Sequence, residues 1–285
     1  MPDIAIYGLG EMGAEIARCL VRRGSALAAY DPVADPEIVS PGFRCGGSVG
    51  EVAATAPAHL VVVKRLPDLE ALLFADDGLG ARAMPGSLIV LHTTVTPQLV
   101  LDLRRRVADR YGHTLVDAAL SRRDGKISEG SLSLLVGGTD ADLAVSRPVL
   151  ETYADNVVHV GAPGAGMAAK LCNNWLLYSN RHAALQALEA GRSMGLDVDV
   201  LRGALAASTG SSWALLHYSD LDAAILDGRG APAVVRDRTA AELGMVREMT
   251  TAAGAVPTTL EETFALLDTM RPAEATAEVG LSGRG

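Results

Sequence analysis

Ile4-Ala5-Ile6-Tyr7-Gly8-Leu9-Gly10-Glu11-Met12-Gly13 is the stretch on which the reading of the whole chain turns. Its first four residues are a short apolar run bounded by glycine, the pattern of a buried strand. A helical pattern follows to about Arg23 with Gly24 as its stop, and a second strand pattern, 26–30, ends in Asp31. A G-x-G-x-x-G spacing alone says little more than a tight turn. Set between strand and helix, with an acid about twenty residues on at the end of the next strand, it has the form of a dinucleotide-binding turn. Gly8 then permits the turn, Gly10 lets backbone approach a pyrophosphate, and Gly13 lets helix and strand pack closely. The helix start over Leu9, Glu11 and Met12 presents N–H groups and a positive dipole end to the phosphates. Asp31 would accept from ribose hydroxyls and repel a 2′-phosphate. Pro32 and Val33 follow it rather than an arginine, so the reading favours NAD over NADP.

Working outward, strand and helix signals keep alternating. Ser48 with Glu51 is a capping-box signature that opens a helix over 49–56. Residues 59–63 read as a buried strand, 64–67 as the turn after it, and 68–75 as a helix. A strand at 87–92 leads to Thr96 and Pro97, an N-cap and first-turn proline for a helix closed by Gly112. A strand at 114–116, a loop at 117–130, a strand at 132–136, a helix over 141–153 and a strand at 156–160 complete the first half. Such alternation predicts a mainly parallel, doubly wound sheet. Its ligands belong at the carboxyl ends of the strands, where Leu66, Pro67 and Thr94 fall.

Residues 164–194 carry the second telling pattern. Ala168, Ala169, Leu171, Cys172, Trp175, Leu176 and Leu177 put apolar side chains at nearly every angle, as in a helix buried all round. Gly195 is placed as a left-handed cap after Met194, which predicts a rod of roughly 45 Å. Lys170 and Asn174 lie in its most apolar part, four residues apart and therefore on one face. Lysine is almost never fully buried unless paired or used. Beyond this helix the patterns at 199–207, 211–226, 234–253 and 261–270 are all helical, and no strand appears.

Composition narrows the function. Apolar residues make up 49% of 285, enough for a substantial core. A net charge of -9 argues against nucleic acid or an anionic membrane as partner, so an anionic ligand must be held by local donors. Cys19, Cys45 and Cys172 follow no metal spacing, and their odd number points to reduced thiols in a cytoplasmic protein. The first residues enter a strand pattern at once, which leaves no signal peptide, and no charge-free apolar run reaches the ~18 residues of a membrane span. His59, His92, His113, His159, His182 and His217 offer no i, i+4 ligand pair, and no G-x-S-x-G elbow is present. Neither a metal site nor serine hydrolysis is expected.

Three blocks together resemble the β-hydroxyacid dehydrogenase family, the 3-hydroxyisobutyrate dehydrogenase group related to 6-phosphogluconate dehydrogenase. They are Gly8-Leu9-Gly10-Glu11-Met12-Gly13; Asp117-Ala118-Ala119-Leu120-Ser121-Arg122-Arg123 with Gly130-Ser131-Leu132 and Gly137-Gly138; and Gly164-Ala165-Gly166 with Lys170, Asn173 and Asn174. The likeness covers about residues 4–260, and the third block is the most specific. It implies Lys170 as general acid/base, Asn174 as its partner on the substrate hydroxyl, and Ser121 in the substrate-binding loop. It also implies Thr94, Leu66 and Pro67 on the nicotinamide side. Two departures stand out. The family's paired glycines after the serine, whose N–H groups cradle a carboxylate, are here Arg122 and Arg123. An inward guanidinium would grip a carboxylate, sulfonate or phosphate bidentately. A lysine common before the last long helix aligns with Ala241, with Glu242 beside it, or with Arg236-Asp237.

The chemistry stands beside the likeness. Hydride transfer between C4 of nicotinamide and a carbonyl carbon leaves negative charge developing on oxygen, so a donor must stabilise that charge and hand over a proton. Lys170 does both where apolar surroundings lower its pKa, and Asn174 one turn on orients the same oxygen. The expected architecture is an α/β Rossmann-type doubly wound parallel sheet, residues 1–161. An all-α C-terminal substrate and dimerisation domain, 162–272, joins it through the long interdomain helix, and 273–285 form a mobile tail. The expected activity is that of an NAD-dependent dehydrogenase or reductase on a small β-hydroxy acid or its semialdehyde. Its small anionic substrate would lie between the domains near Ser121, Arg122, Arg123, Lys170 and Asn174. The family pairs through this helix, so a homodimer or homotetramer is expected. Two rivals share the fold: an imine reductase, with aspartate or tyrosine in place of Lys170 and an arginine in place of Asp31, and a non-catalytic cofactor-binding module without the lysine. Lys170 counts against both.

Overall fold

The structure is a computed structural model of the chain and describes residues 3–122, 132–255 and 257–271, with only the backbone of Arg122. Arg123 and the expected tail at 273–285 lie outside the described residues. Seven strands, β1 (Ile4–Tyr7), β2 (Leu27–Tyr30), β3 (Ala58–Val61), β4 (Leu88–Leu91), β5 (Thr114–Arg122), β6 (Leu132–Gly137) and β7 (Asn156–Gly161), form one sheet in the order β2-β1-β3-β4-β5-β6-β7. Every neighbouring pair is parallel except β5 and β6, which run antiparallel with Asp117 opposite Gly137 and Ser121 opposite Ser133.

Between the strands run α1 (Glu11–Arg22), α2 (Val49–Ala53), α3 (Leu66–Phe74), α4 (Leu79–Arg82), α5 (Pro97–Tyr111) and α6 (Asp140–Leu150). They cover both faces of the sheet, which is why β1, β3 and β4 are buried at every residue and are almost wholly apolar. Alternate residues serve opposite faces. Ile4, Ile6, Leu60 and Val90 pack with Ile16 and Leu20 of α1, while Ala5, Tyr7, Val61 and Ile89 pack with Leu73 of α3 and Leu103 of α5. The chain turns one way from β1 to β2 and the other way to β3, so a crevice opens at the carboxyl ends of β1 and β3.

Three expectations change here. The loop expected from residue 117 is strand as far as Arg122, because Val116, Ala118 and Leu120 fill one face of the sheet and Leu115 and Ala119 the other. Leu66 and Pro67, expected in a turn, are the first residues of α3, where a proline is well tolerated because its missing N–H has no helical partner to lose. The single helix expected over 211–226 is two, α9 (Trp213–Leu216) and α10 (Asp220–Leu226). The second starts at Ser219, which forms a capping box with Asp222.

The chain divides into two compact units at Lys170/Leu171. The long helix α7 (Ala165–Ser193) belongs to both and stops before Gly195, whose φ is +82°. The second unit also holds α8 (Val198–Ala206), α9, α10, α11 (Ala233–Ala252) and α12 (Thr258–Thr269). Its core joins Leu171, Tyr178 and Leu185 to Ile225, Leu243, Val246, Leu260 and Leu266. Within this single chain α7 is not buried all round. Its buried residues form one stripe, while Cys172 and Asn173 are exposed and Leu176 keeps 61% of its surface in this single chain. Among the described residues no helix is long and apolar enough to cross a membrane.

Candidate active site

The glycine turn sits at the carboxyl end of β1, and each glycine is there for a different steric reason. Gly8 has φ +96°, and a Cβ on it would lie 2.6 Å from the carbonyl oxygen of Val62. A Cβ on Gly13 would lie 1.9 Å from the carbonyl oxygen of Gly8, so α1 can approach the turn this closely only without one. Gly10 is different. A Cβ there would meet only the side chain of Lys64, at 3.3 Å, so no backbone crowds this position. Gly10 is also the N-cap of α1 and makes no side-chain cap bond. The start of α1, with Glu11 and Met12, therefore has the form of an anion-binding helix end.

Asp31, at the end of β2, ties this turn together. One carboxylate oxygen accepts from the Leu9 N–H at 2.6 Å, and the other accepts from the N–H groups of Val33 and Ala34, both at 2.8 Å. Partial burial works to raise its pKa. The three backbone donors and the nearby charge of Lys64 outweigh that and hold it below the usual carboxylate value. Asp31 is thus a fixed negative charge beside the glycine turn.

A cleft of about 740 Å³ opens here, lined by Gly8, Gly10, Asp31, Ser48, Lys64 and Asp77 among others. Its lining does not include Leu66, Pro67 or Thr94. Leu66 and Pro67 open α3 and are exposed, and half-buried Thr94 stands between β4 and α5. The neighbouring Thr93 hydroxyl donates to the Val63 carbonyl at 2.8 Å and joins the ends of β3 and β4. Lys64 and Arg65 were not singled out from the sequence. The available signal was their place directly after a buried strand, where a parallel sheet presents its ligands.

The second cluster is built on α7. Asp117, only 1% exposed in β5, accepts from the Gly164 N–H at 2.8 Å and from the Met167 N–H at 3.0 Å, satisfying helix-start donors that would otherwise be buried without partners. Burial nevertheless pushes its pKa up against these donors. Gly166 lies tight against this strand pair, where a Cβ would come 2.4 Å from the Leu135 carbonyl oxygen. The first turn of α7 is therefore pinned, and half-buried Lys170 follows in the next turn, between fully buried Met167 and Leu171.

One turn on, Asn174 is buried at 4% exposure, and its Nδ2 donates to Glu242 of α11 at 2.8 Å. The Tyr178 hydroxyl donates to the same Glu242 oxygen at 2.5 Å. Burial, then the Glu242 charge, raises the Tyr178 pKa well above the ordinary phenol value, so it stays a donor. Neither Tyr178 nor Glu242 was expected as Asn174's neighbour. Tyr178 is legible in hindsight as the next i+4 position, whereas Glu242 is far away in sequence. Ser121, half-buried, stands near the end of β5 rather than in a loop. The Arg122 backbone follows it opposite Leu132.

Comparison with known proteins matches both parts of the chain. Residues 3–161 fit the model of the NAD binding domain of 6-phosphogluconate dehydrogenase. Residues 164–278 fit that described as NAD-binding of NADP-dependent 3-hydroxyisobutyrate dehydrogenase. A 3-hydroxyisobutyrate dehydrogenase of Pseudomonas aeruginosa is 36% identical over 224 residues, covering 77% of this chain and 74% of the relative. An NAD-dependent L-serine dehydrogenase of the same organism is 32% identical over 221 residues, again 77% and 74%. The solved structure of Mycobacterium tuberculosis 3-hydroxyisobutyrate dehydrogenase with L-serine superposes with a TM-score of 0.77 at 25% identity, covering 94% of this chain and 93% of that one. With a glycine turn shaped for a dinucleotide, two family models that follow one another along the chain and relatives this similar over most of it, the protein belongs to the β-hydroxyacid dehydrogenase family, NAD(P)-dependent oxidoreductases that act on CH–OH groups.

Proposed function

We propose that this enzyme interconverts a small anionic β-hydroxy acid and its semialdehyde with NAD, using Lys170 as the general acid/base. The observation that carries the reading is the half-buried lysine on a helix start held by Asp117, one turn before buried Asn174. The relatives named for 3-hydroxyisobutyrate and L-serine support the substrate class.

The residues present fit a dinucleotide. Gly10 leaves room for close backbone approach, Gly13 brings α1 against the turn, and Asp31 is held ionised where ribose hydroxyls would lie. Asp31 disfavours a 2′-phosphate by charge, which supports NAD over NADP. Leu9, Glu11 and Met12 complete the turn, and Leu66, Pro67 and Thr94 are proposed for the nicotinamide side. A bound NAD supplies the hydride acceptor. In oxidation, Lys170 in its neutral form takes the hydroxyl proton; in reduction, its ammonium returns a proton to the carbonyl oxygen. Asn174 donates an N–H to that same oxygen and holds it beside Lys170. Ser121, with Arg122 and Arg123 after it, is proposed to hold the substrate's anionic group.

Residues 1–161 are proposed as the cofactor domain and 162–272 as the domain of substrate and subunit contact. Exposed Leu176 on α7 supports a homodimer or homotetramer formed through this helix. The free thiols of Cys19, Cys45 and Cys172 support a cytoplasmic protein. The test is NADH formation from 3-hydroxyisobutyrate, L-serine and threonate, each assayed with NAD and with NADP. Turnover on at least one, faster with NAD, is expected. Cofactor binding without turnover on any of them overturns the reading, and preference for NADP overturns the role given to Asp31.

A further inference from the structure

Two side-chain donors from α7 converge on one oxygen of Glu242: the Asn174 amide at 2.8 Å and the Tyr178 hydroxyl at 2.5 Å. The geometry points to Glu242 as a positioning residue that sets which end of the Asn174 amide faces the substrate oxygen. This rests on the role proposed above for Asn174.

An asparagine amide has two ends of similar shape and opposite hydrogen-bonding sense. Turned by half a rotation, Asn174 would present its carbonyl oxygen where an N–H is needed, and that oxygen would repel the charge developing on the reacting oxygen. A carboxylate only accepts, so the amide end that faces Glu242 must be the NH2. The carbonyl end then lies on the other side, where the Asn173 amide approaches it at 3.4 Å. One N–H of Asn174 is engaged by Glu242, and the second is left for the substrate oxygen.

The carboxylate is itself held. Tyr178 donates to it, and burial together with the Glu242 charge keeps that phenol protonated. Lys170, Asn174 and Tyr178 follow one another at i, i+4 and i+8 on a single face of α7. Glu242 therefore braces the two residues after Lys170 from a separate helix, and both bonds are charge-assisted, hence short and directional. Within α7 only the long 3.4 Å contact from the Asn173 amide favours this orientation, and that amide can itself turn. The short bond to the distant Glu242 carboxylate, which can only accept, is what fixes it.

The test is a double-mutant cycle in the full-length enzyme, with kcat, KM and NADH affinity measured for E242L, E242Q, N174A and N174A/E242L. E242L is expected to lower kcat about ten- to a hundredfold with NADH affinity unchanged. E242Q, whose amide oxygen still accepts, is expected to recover most of that loss. In the N174A background E242L is expected to cost less than about twofold more, because there is no amide left to orient. An E242L loss of equal size with and without Asn174 overturns the inference, and so does an E242Q as impaired as E242L. If E242L does not fold, Y178F replaces it in the cycle, with a smaller kcat loss expected that vanishes beside N174A; an equal loss in both backgrounds overturns the inference. An N174A enzyme that turns over like wild type overturns the reading of Asn174 itself, an outcome distinct from the failure of Glu242 alone.

Discussion

Asp117 accepts a 3.0 Å hydrogen bond from the backbone N–H of Met167, so a side chain of the sheet holds the first turn of the helix that carries Lys170. Its other oxygen takes the Gly164 N–H at 2.8 Å. D117A would leave both donors buried without partners, and D117N would turn an N–H toward one of them. The expected loss is about 2–4 kcal/mol for D117A and about half of that for D117N. Denaturant unfolding measures it, and turnover should fall with it because Lys170 loses its fixed base. A D117A protein as stable as wild type would remove this anchor from the account.

Gly10 and Gly13 should separate in mutation. G10A places its Cβ against only the flexible end of Lys64, so the protein is expected to keep its melting temperature within a few degrees. Its NADH affinity should fall at least about tenfold, because the new methyl occupies the face where backbone meets the pyrophosphate. G13A drives a Cβ into the Gly8 carbonyl and should lower both stability and affinity. Calorimetry of unfolding and of NADH binding on the two variants checks the contrast. Equal destabilisation by both substitutions would show that Gly10 is held by the fold rather than kept open for a ligand.

His92 makes stability depend on pH in a defined window. Its Nδ1 lies 2.5 Å from the Ala118 carbonyl, which only accepts, so that nitrogen carries the proton and Nε2 accepts from the Tyr153 hydroxyl at 2.9 Å. Burial pushes the pKa down to about 4, against a small opposing effect of the Ala118 bond. A histidine whose folded pKa is depressed contributes stability that is complete above the unfolded value of 6.5 and is lost as pH falls toward 4. Unfolding free energy should therefore drop by roughly 1.4 kcal/mol per pH unit from this residue across that window. H92Q should be less stable at pH 7 but show a shallower slope. An unchanged slope would assign the titration elsewhere, with His59, pushed down to about 3 by its own burial, as the next candidate.

How far the sequence could be read depended on whether the information was local. The glycine turn, Asp31 at the strand end, the cap at Thr96 and the stop at Gly195 each depend on residues within a turn or two, and all lie where the pattern put them. The reach of β5 to Arg122 was hidden because Asp117 reads as a strand end, and only the pairing with β6 and the covered faces show otherwise. The exposed side of α7 was hidden for a related reason. Leu171 and Leu176 look alike in sequence, and burial is decided by helices that arrive much later in the chain. At the candidate site Lys170 and Asn174 stand out by spacing alone. Glu242, bonded to Asn174 across 68 residues, has no local signature, and its neighbour Ala241 drew the comparison instead.

The central claim is tested most directly by replacing Lys170 with alanine and measuring turnover and NADH binding on the same preparation. The account predicts that K170A folds, binds NADH as wild type does and loses at least about a thousandfold in kcat, a loss at the upper end of what one general acid/base supplies. A K170A enzyme that keeps most of its turnover on the same substrate would contradict it.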